Sequence, residues 1–374
     1  MKKIIEPIRS PWKAAMTHRE RFNRQMHFKS VDRSFNMEFG YWDENYKQWD
    51  IFVNNDITNE EEANAFFSFD PIVSISLNHW MDPAFEEKEI GRKGNHIIIQ
   101  DSNGLTAEVP ADDHSSIPHF ISSSVNSPSD WARVKSERFR PDSPGRIVDV
   151  DKIIRDHPPA RDYPLGIYCG SMIGSIRDML TFEGICYAWG DYPDMLEDMV
   201  ETCCQLVEHM LDQVLGKVDF DFASGWEDIC YNYGPILPPS FFWDVVAPRY
   251  KRISKKLRDH GIDLWYTDCD GDVRLLIQMF LDSGINCLFP YEVNSCTHPG
   301  ELLKEYENLR IMGGVDKMQL IAGPEAIKAY LESLVPYVER GGYIPFCDHR
   351  CPPDVSPQNY LYYLDLKEKL FGGR

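Results

Sequence analysis

The 374-residue chain is short of positive charge: 39 Lys and Arg face 59 Asp and Glu, for a formal net charge of −20. No basic run offsets that balance, so nucleic acid and anionic membrane are excluded as expected partners. Long apolar runs are missing too. None approaches the ~20 residues that span a bilayer, and Met1 to Met16 is broken by charges and by Pro7 and Pro11, unlike a secretory leader. A cytoplasmic location is expected. Ten cysteines are present, but no Cys-x-x-Cys occurs, Cys203-Cys204 sits inside a helical pattern, and Cys347 and Cys351 alone have ligand-like spacing. Reduced thiols are therefore expected. Gly-x-Gly-x-x-Gly and Walker loops are absent, which excludes the common nucleotide-binding forms.

What is present is a rhythm. From Pro164 on, predicted strands at 165–169, 220–224, 263–267, 286–290, 310–313 and 343–346 alternate with helical patterns at 193–218, 239–260, 273–281, 299–308, 324–339 and 357–370. In the 324–339 helix, Ile327, Tyr330, Leu331, Leu334, Val335 and Val338 form one apolar stripe, and Gly341-Gly342 ends it. Earlier strand candidates at 36–40 and 70–77 bring the count to eight. A helix over 17–28 precedes them, and a helical pattern over 51–67 has Thr58 as N-cap with Glu61 three residues on. The fold expected is α/β, a (β/α)8 TIM barrel with N-terminal elaborations, and an open doubly wound sheet is the alternative. Residues 91–110 read as an inserted β-hairpin turning at Asn103-Gly104. One domain over 1–374 is expected, with 91–163 as hairpin and covering excursion, including short helices near 130–140 and 148–156.

The candidate site follows from where the strands end. Trp226-Glu227-Asp228, Asp268-Cys269-Asp270, Tyr291-Glu292, Asp316-Lys317 and Asp348-His349 each follow a predicted strand. Strand alternation puts Asp268 and Asp270 on one face and Cys269 on the other. Any one acid here could be a solvated loop residue or a helix cap, but five consecutive units ending in ionisable groups point to one pocket. Glu227, Asp268, Asp270, Glu292 and His349 make a carboxylate and imidazole set. Such a set suits a divalent metal, zinc first, and equally a metal-free acidic pocket. Asp268, Asp270, His349 and Glu292 are the metal-ligand candidates, and His349, Asp268, Asp270 and Glu227 the catalytic ones. Trp226, Tyr231, Glu292, Lys317 and Asp348 are the expected substrate contacts. His349 suits acid delivery because an ordinary imidazole titrates at ~6.5.

Several stretches carry a family resemblance: His18-Arg-Glu-Arg-Phe-Asn with Val31-Asp-Arg33, Pro164-Leu-Gly-Ile-Tyr, and Trp226-Glu-Asp-Ile with Gly234-Pro-Ile-Leu-Pro-Pro. Asp268-Cys-Asp-Gly, Gly313-Gly-Val-Asp-Lys317, and Asp348-His-Arg-Cys-Pro-Pro-Asp-Val with Asn359-Tyr complete it. The chain resembles the uroporphyrinogen decarboxylase superfamily, and within it the cobalamin-dependent methyltransferase branch. The N-terminal arginine-rich loop of true porphyrinogen decarboxylases has no match in Arg19 to Arg33. The branch's coenzyme M methyltransferases bind zinc through His-x-Cys-Gly and a late Cys. The resemblance sets Asp268 and Asp270 at the first two positions and His349 at the third.

Thiolates are thus replaced by oxygen and imidazole. That favours polarising an ether or hydroxyl oxygen over activating a thiol. The resemblance implies an O-demethylase component of anaerobic metabolism that moves a methyl group from a small methoxylated, aromatic compound to the cob(I)alamin of a separate corrinoid protein. The chain itself has no Asp-x-His-x-x-Gly cobalamin motif. Alternatives are a decarboxylase or lyase working without cobalamin, and a non-catalytic tetrapyrrole or small-molecule binder. A homodimer is left open.

Overall fold

The computed structural model describes residues 3–111 and 118–373. Residues 112–117 of the expected covering excursion lie outside the described residues. Seven parallel strands form the central sheet: β1 (Val73–Ser76), β2 (Leu165–Tyr168), β3 (Phe222–Trp226), β4 (Trp265–Asp268), β5 (Cys287–Tyr291), β6 (Arg310–Val315) and β7 (Tyr343–Cys347). They lie side by side in chain order, so every connection is a crossover through the outer layer.

The eighth wall position belongs to the extended segment 36–40, held by separate bonds rather than a ladder. Asp70 N–H donates to the Asn36 carbonyl at 2.7 Å on one side. On the other, Cys351 N–H donates to the Gly40 carbonyl at 2.9 Å and Cys347 N–H to Glu38 Oε2 at 3.2 Å. The structure is a (β/α)8 barrel.

Two apolar clusters show why the sheet curves around an interior. Phe35, Met37, Phe222, Leu264, Cys287, Phe289, Met312, Ile344 and Phe346 meet inside the barrel. The residues between them on each strand, such as Ala223, Trp265, Leu288, Ile311 and Tyr343, pack against the helices. That alternation is the period-2 signature of a wall with a filled interior. Helix His18–Met26 stoppers the amino end, with Phe22 and Met26 wholly buried in the interior cluster. The Gln25 amide donates to the Tyr343 carbonyl at 2.6 Å and accepts from Phe35 N–H at 2.6 Å, so the stopper is bonded to the wall.

Local structure departs from expectation at several points. Helix Glu60–Phe66 is capped by Asn59, not Thr58: Asn59 Oδ1 accepts from Glu62 N–H at 3.0 Å while Glu62 reaches back to Thr58 N–H at 2.8 Å. The reciprocal pair is one residue later than the sequence pattern suggested, with Glu62 in place of Glu61. The inserted hairpin is half of a four-stranded antiparallel sheet, Lys88–Lys93, His96–Gln100, Thr106–Pro110 and His119–Ser122. The helix after β4 starts at Ile277 rather than 273, because Asp272 turns to pair with Arg274 at 2.7 Å. Helices Gly174–Leu180, Phe182–Asp191 and Lys317–Ala322 were not predicted. No helix among the described residues is long and apolar enough to cross a membrane.

Candidate active site

Each of β3 to β7 runs one or two residues beyond the predicted end, which places Trp226, Asp268 and Tyr291 on the strands themselves. Just past the ends of β4, β5 and β7, Asp270, Glu292 and His349 converge, each offering a ligand atom within 4.8 Å of the others. His349 Nε2 lies 3.3 Å from Asp270 Oδ2. The other Asp270 oxygen, Oδ1, is buried with no hydrogen-bond partner. An unpaired buried carboxylate oxygen costs free energy on the order of 1–3 kcal/mol. With its other oxygen beside His349, this carboxylate could hold a cation or a donating ligand. A carboxylate, carboxylate and imidazole set fits Zn²⁺, Mn²⁺ or Fe²⁺.

Asp268, the fourth expected ligand, stands beside this trio but is not a member of it. Burial, followed by the Asp270 and Asp228 charges, pushes its carboxyl up to about 8. Glu292 is braced by Lys317 Nζ at 2.9 Å and by Gly271 N–H at 3.3 Å. Burial alone would lower the Lys317 pKa, but Asp348 and Glu292 raise it. Lys317 is thereby a counter-ion of the acids.

Two residues assigned to catalysis or substrate contact, Glu227 and Asp348, are taken up by structural hydrogen bonds. Glu227 is 1% exposed, and its two oxygens accept from Met172 N–H at 2.7 Å, Ile173 N–H at 2.8 Å, Gly174 N–H at 2.9 Å, Ser171 Oγ at 3.1 Å and the Tyr250 hydroxyl. Burial pushes it up to about 7 against those donors. Glu227 ties the loop after β2 to β3 and has no lone pair left for a substrate or metal. Asp348 is wholly buried, accepting from Val293 N–H and Lys317 N–H, both at 3.1 Å. It positions the two loops that carry Glu292 and Lys317; burial lifts its pKa to about 6, with Lys317 pulling the other way. Tyr231 is 54% exposed on a short hairpin at the rim, against Phe182. Trp226 has the Arg177 guanidinium over its ring at 5.3 Å. Cys269 is buried and bonded toward Cys230.

Sequence reasoning missed the groups that hold His349. Its ring stacks on Trp42 at 5.7 Å and meets the edge of Phe39 at 5.6 Å, perpendicular. Arg350 reaches Glu60 Oε2 at 3.2 Å and covers the Phe39 ring at 5.1 Å. Tyr41-Trp42 directly follows a strand candidate, as the other site residues do, and that position is the cue that could have flagged Trp42.

A (β/α)8 barrel with ionisable side chains converging at the carboxyl ends of its strands defines an α/β-barrel protein with a candidate site at its mouth. The chain matches the family model of uroporphyrinogen decarboxylase (URO-D) over residues 98–369 and belongs to that family. Among solved structures it is similar to a methyltransferase from Methanosarcina mazei, with a TM-score of 0.57 and 13% identity over 95% of this chain and 98% of that one. No curated protein matches the sequence.

Proposed function

We propose that this chain is a methyltransferase that demethylates a small methoxylated aromatic compound and gives the methyl group to the cob(I)alamin of a separate corrinoid protein. The observation that carries this reading is the oxygen and imidazole trio Asp270, Glu292 and His349, with no thiolate in it, at the barrel mouth. The fold likeness to a methyltransferase supports it. The trio would hold a divalent ion, zinc first, which supplies Lewis acidity to an ether oxygen. In the reaction the bond between methyl carbon and oxygen breaks, the methyl group goes to the reduced cobalt, and the departing phenolate takes a proton.

The chain's own residues set the geometry. Trp42 and Phe39 fix the His349 ring from two sides. Lys317 and Gly271 N–H hold Glu292 in place. In this reading Asp268, beside the trio and outside it, hands the proton to the departing oxygen, the role first expected of His349. A positioned acid contributes ~10²–10⁴-fold. The acidic mouth repels a polycarboxylated porphyrinogen, which disfavours porphyrin decarboxylation. The test is an assay of purified protein with a reduced corrinoid protein and a panel of methoxylated compounds. Phenol and methylcobalamin should form together. Turnover without cobalamin, or tight binding with no product, would refute the reading.

A further inference from the structure

The barrel wall is incomplete on one side, and the gap is a cavity. Between segment 36–40 and β1 no ladder forms, and the Asp70–Asn36 pair bridges the two at one end. A space of about 830 Å³ enters there and reaches the interior face at Ile72, Tyr266, Phe289 and Met312. Ligand pockets commonly measure ~300–1,000 Å³. This one is distinct from the mouth: none of Asp268, Asp270, Glu292 or His349 lines it.

Its walls select a ligand. The inner surface is aromatic and apolar, and Phe39, which also lines it, presents its ring to Phe289 at 4.9 Å and to His349 at 5.6 Å. Among the lining residues none is Lys, Arg or His. Of the lining acids, Glu38 is paired with Lys367 at 2.7 Å, Asp70 with Arg33 at 2.6 Å and Glu60 with Arg350 at 3.2 Å, so the cations nearest the cavity are already taken. A carboxylated ring would lose its hydration there and gain no cation, at considerable cost. One polar feature faces the other way: the amide oxygen of Asn64, on the cavity wall, is buried without a partner, so it can accept from a hydroxyl.

The cavity's inner end lies one pleat below the site. Tyr266 and Asp268 are two residues apart on the same face of β4, about 6.5–7 Å along the strand. That is roughly the length of a ring with its ether substituent. A ring seated against Tyr266 and Phe289 points its substituent toward Asp268 and leaves the mouth free.

We propose that this lateral cavity binds an uncharged methoxylated phenol, which enters through the barrel wall while the methyl acceptor approaches from the mouth. The inference rests on the demethylation reading for the identity of the ether and on the cavity alone for the selection against charge. The test is calorimetric binding of 2-methoxyphenol and of 3-methoxybenzoate to the full chain without cobalamin, for wild type, Ile72→Trp and Ala65→Trp. Ala65 lines the entrance and is exposed, so its replacement blocks entry without disturbing the interior.

The neutral phenol should bind about tenfold or more tightly than the benzoate, and both variants should weaken it by at least about that factor. Equal or tighter binding of the benzoate, affinity unchanged in both variants, or no binding of 2-methoxyphenol would each overturn the proposal. Cavity binding that holds while no methyl transfer occurs would refute the demethylation reading and leave the cavity assignment standing.

Discussion

The two ends of the barrel are made by the same strands and differ in what their polar groups touch. At the amino end, helix His18–Met26 fills the opening, Gln25 is bonded to the wall on both sides of its amide, and Arg310 Nε donates to the Met26 carbonyl at 2.6 Å. At the carboxyl end, Asp270 Oδ1 has no partner, and Asp268 lies among the Asp270, Asp228 and Glu292 charges with only Arg350 opposing them. The first pattern is what stability selects. The second costs stability and is retained where a ligand completes it. Glu227 and Asp348 show that not every acid near the mouth belongs to the second pattern, since both are fully enclosed and bonded by backbone N–H groups.

This contrast can be broken by substitution, most strongly at the mouth. His349→Ala or Asp268→Asn should lower methyl transfer by ~10²–10⁴-fold with little change in denaturation midpoint. For Asp268→Asn the loss should shrink for ethers with better phenolate leaving groups. Rates against a leaving-group series check this, and undiminished rates would remove the residue from the mechanism. At the amino end the reverse should hold. Phe22→Ala should cost ~3–5 kcal/mol of stability in urea titration, whereas Asp270→Asn should leave stability unchanged or raise it by relieving repulsion with Asp268.

A third prediction sharpens the boundary between the ends. His79, in the loop after β1, packs on Tyr168 at 5.2 Å, and its Nδ1 lies 2.7 Å from the Leu77 carbonyl. Burial lowers its pKa from 6.5 to about 4. The unfolded chain then binds the proton first, so stability is present above about 6.5 and is lost as pH falls toward 4, by on the order of 3 kcal/mol. Denaturation midpoints across that range should slope for wild type and flatten for His79→Gln. Equal slopes would mean that His79 is not the group responsible. The smallest effect expected is at the cap: Asn59→Ala should cost ~1 kcal/mol, measured the same way.

Much of the barrel was legible because apolar runs of strand length alternate with helix-length stripes, and the six strands from 165 onward fell within two residues of their predicted starts. Strand ends were less legible, because polar residues such as Asp268 extend a strand without extending its apolar run. The trio was readable for a simple topological reason: parallel strands deliver consecutive carboxyl ends to one rim. Glu227 was misread because an acid after a strand looks the same in sequence whether it faces the mouth or a neighbouring loop's N–H groups. Phe39, Trp42 and the lateral gap depend on how segment 36–40 meets both edges of the sheet. That is a long-range contact with no local pattern to announce it.

The proposed function turns on Asp270, Glu292 and His349 holding one divalent ion and the ether it polarises. Zinc titration by calorimetry on chelator-treated protein tests it most directly, comparing wild type with His349→Ala and Asp270→Ala. One bound zinc per chain is expected in the wild type, with loss of that binding in both variants and the fold intact by circular dichroism. Absence of zinc, manganese and iron binding in the wild type, or one full equivalent retained in both variants, would contradict it.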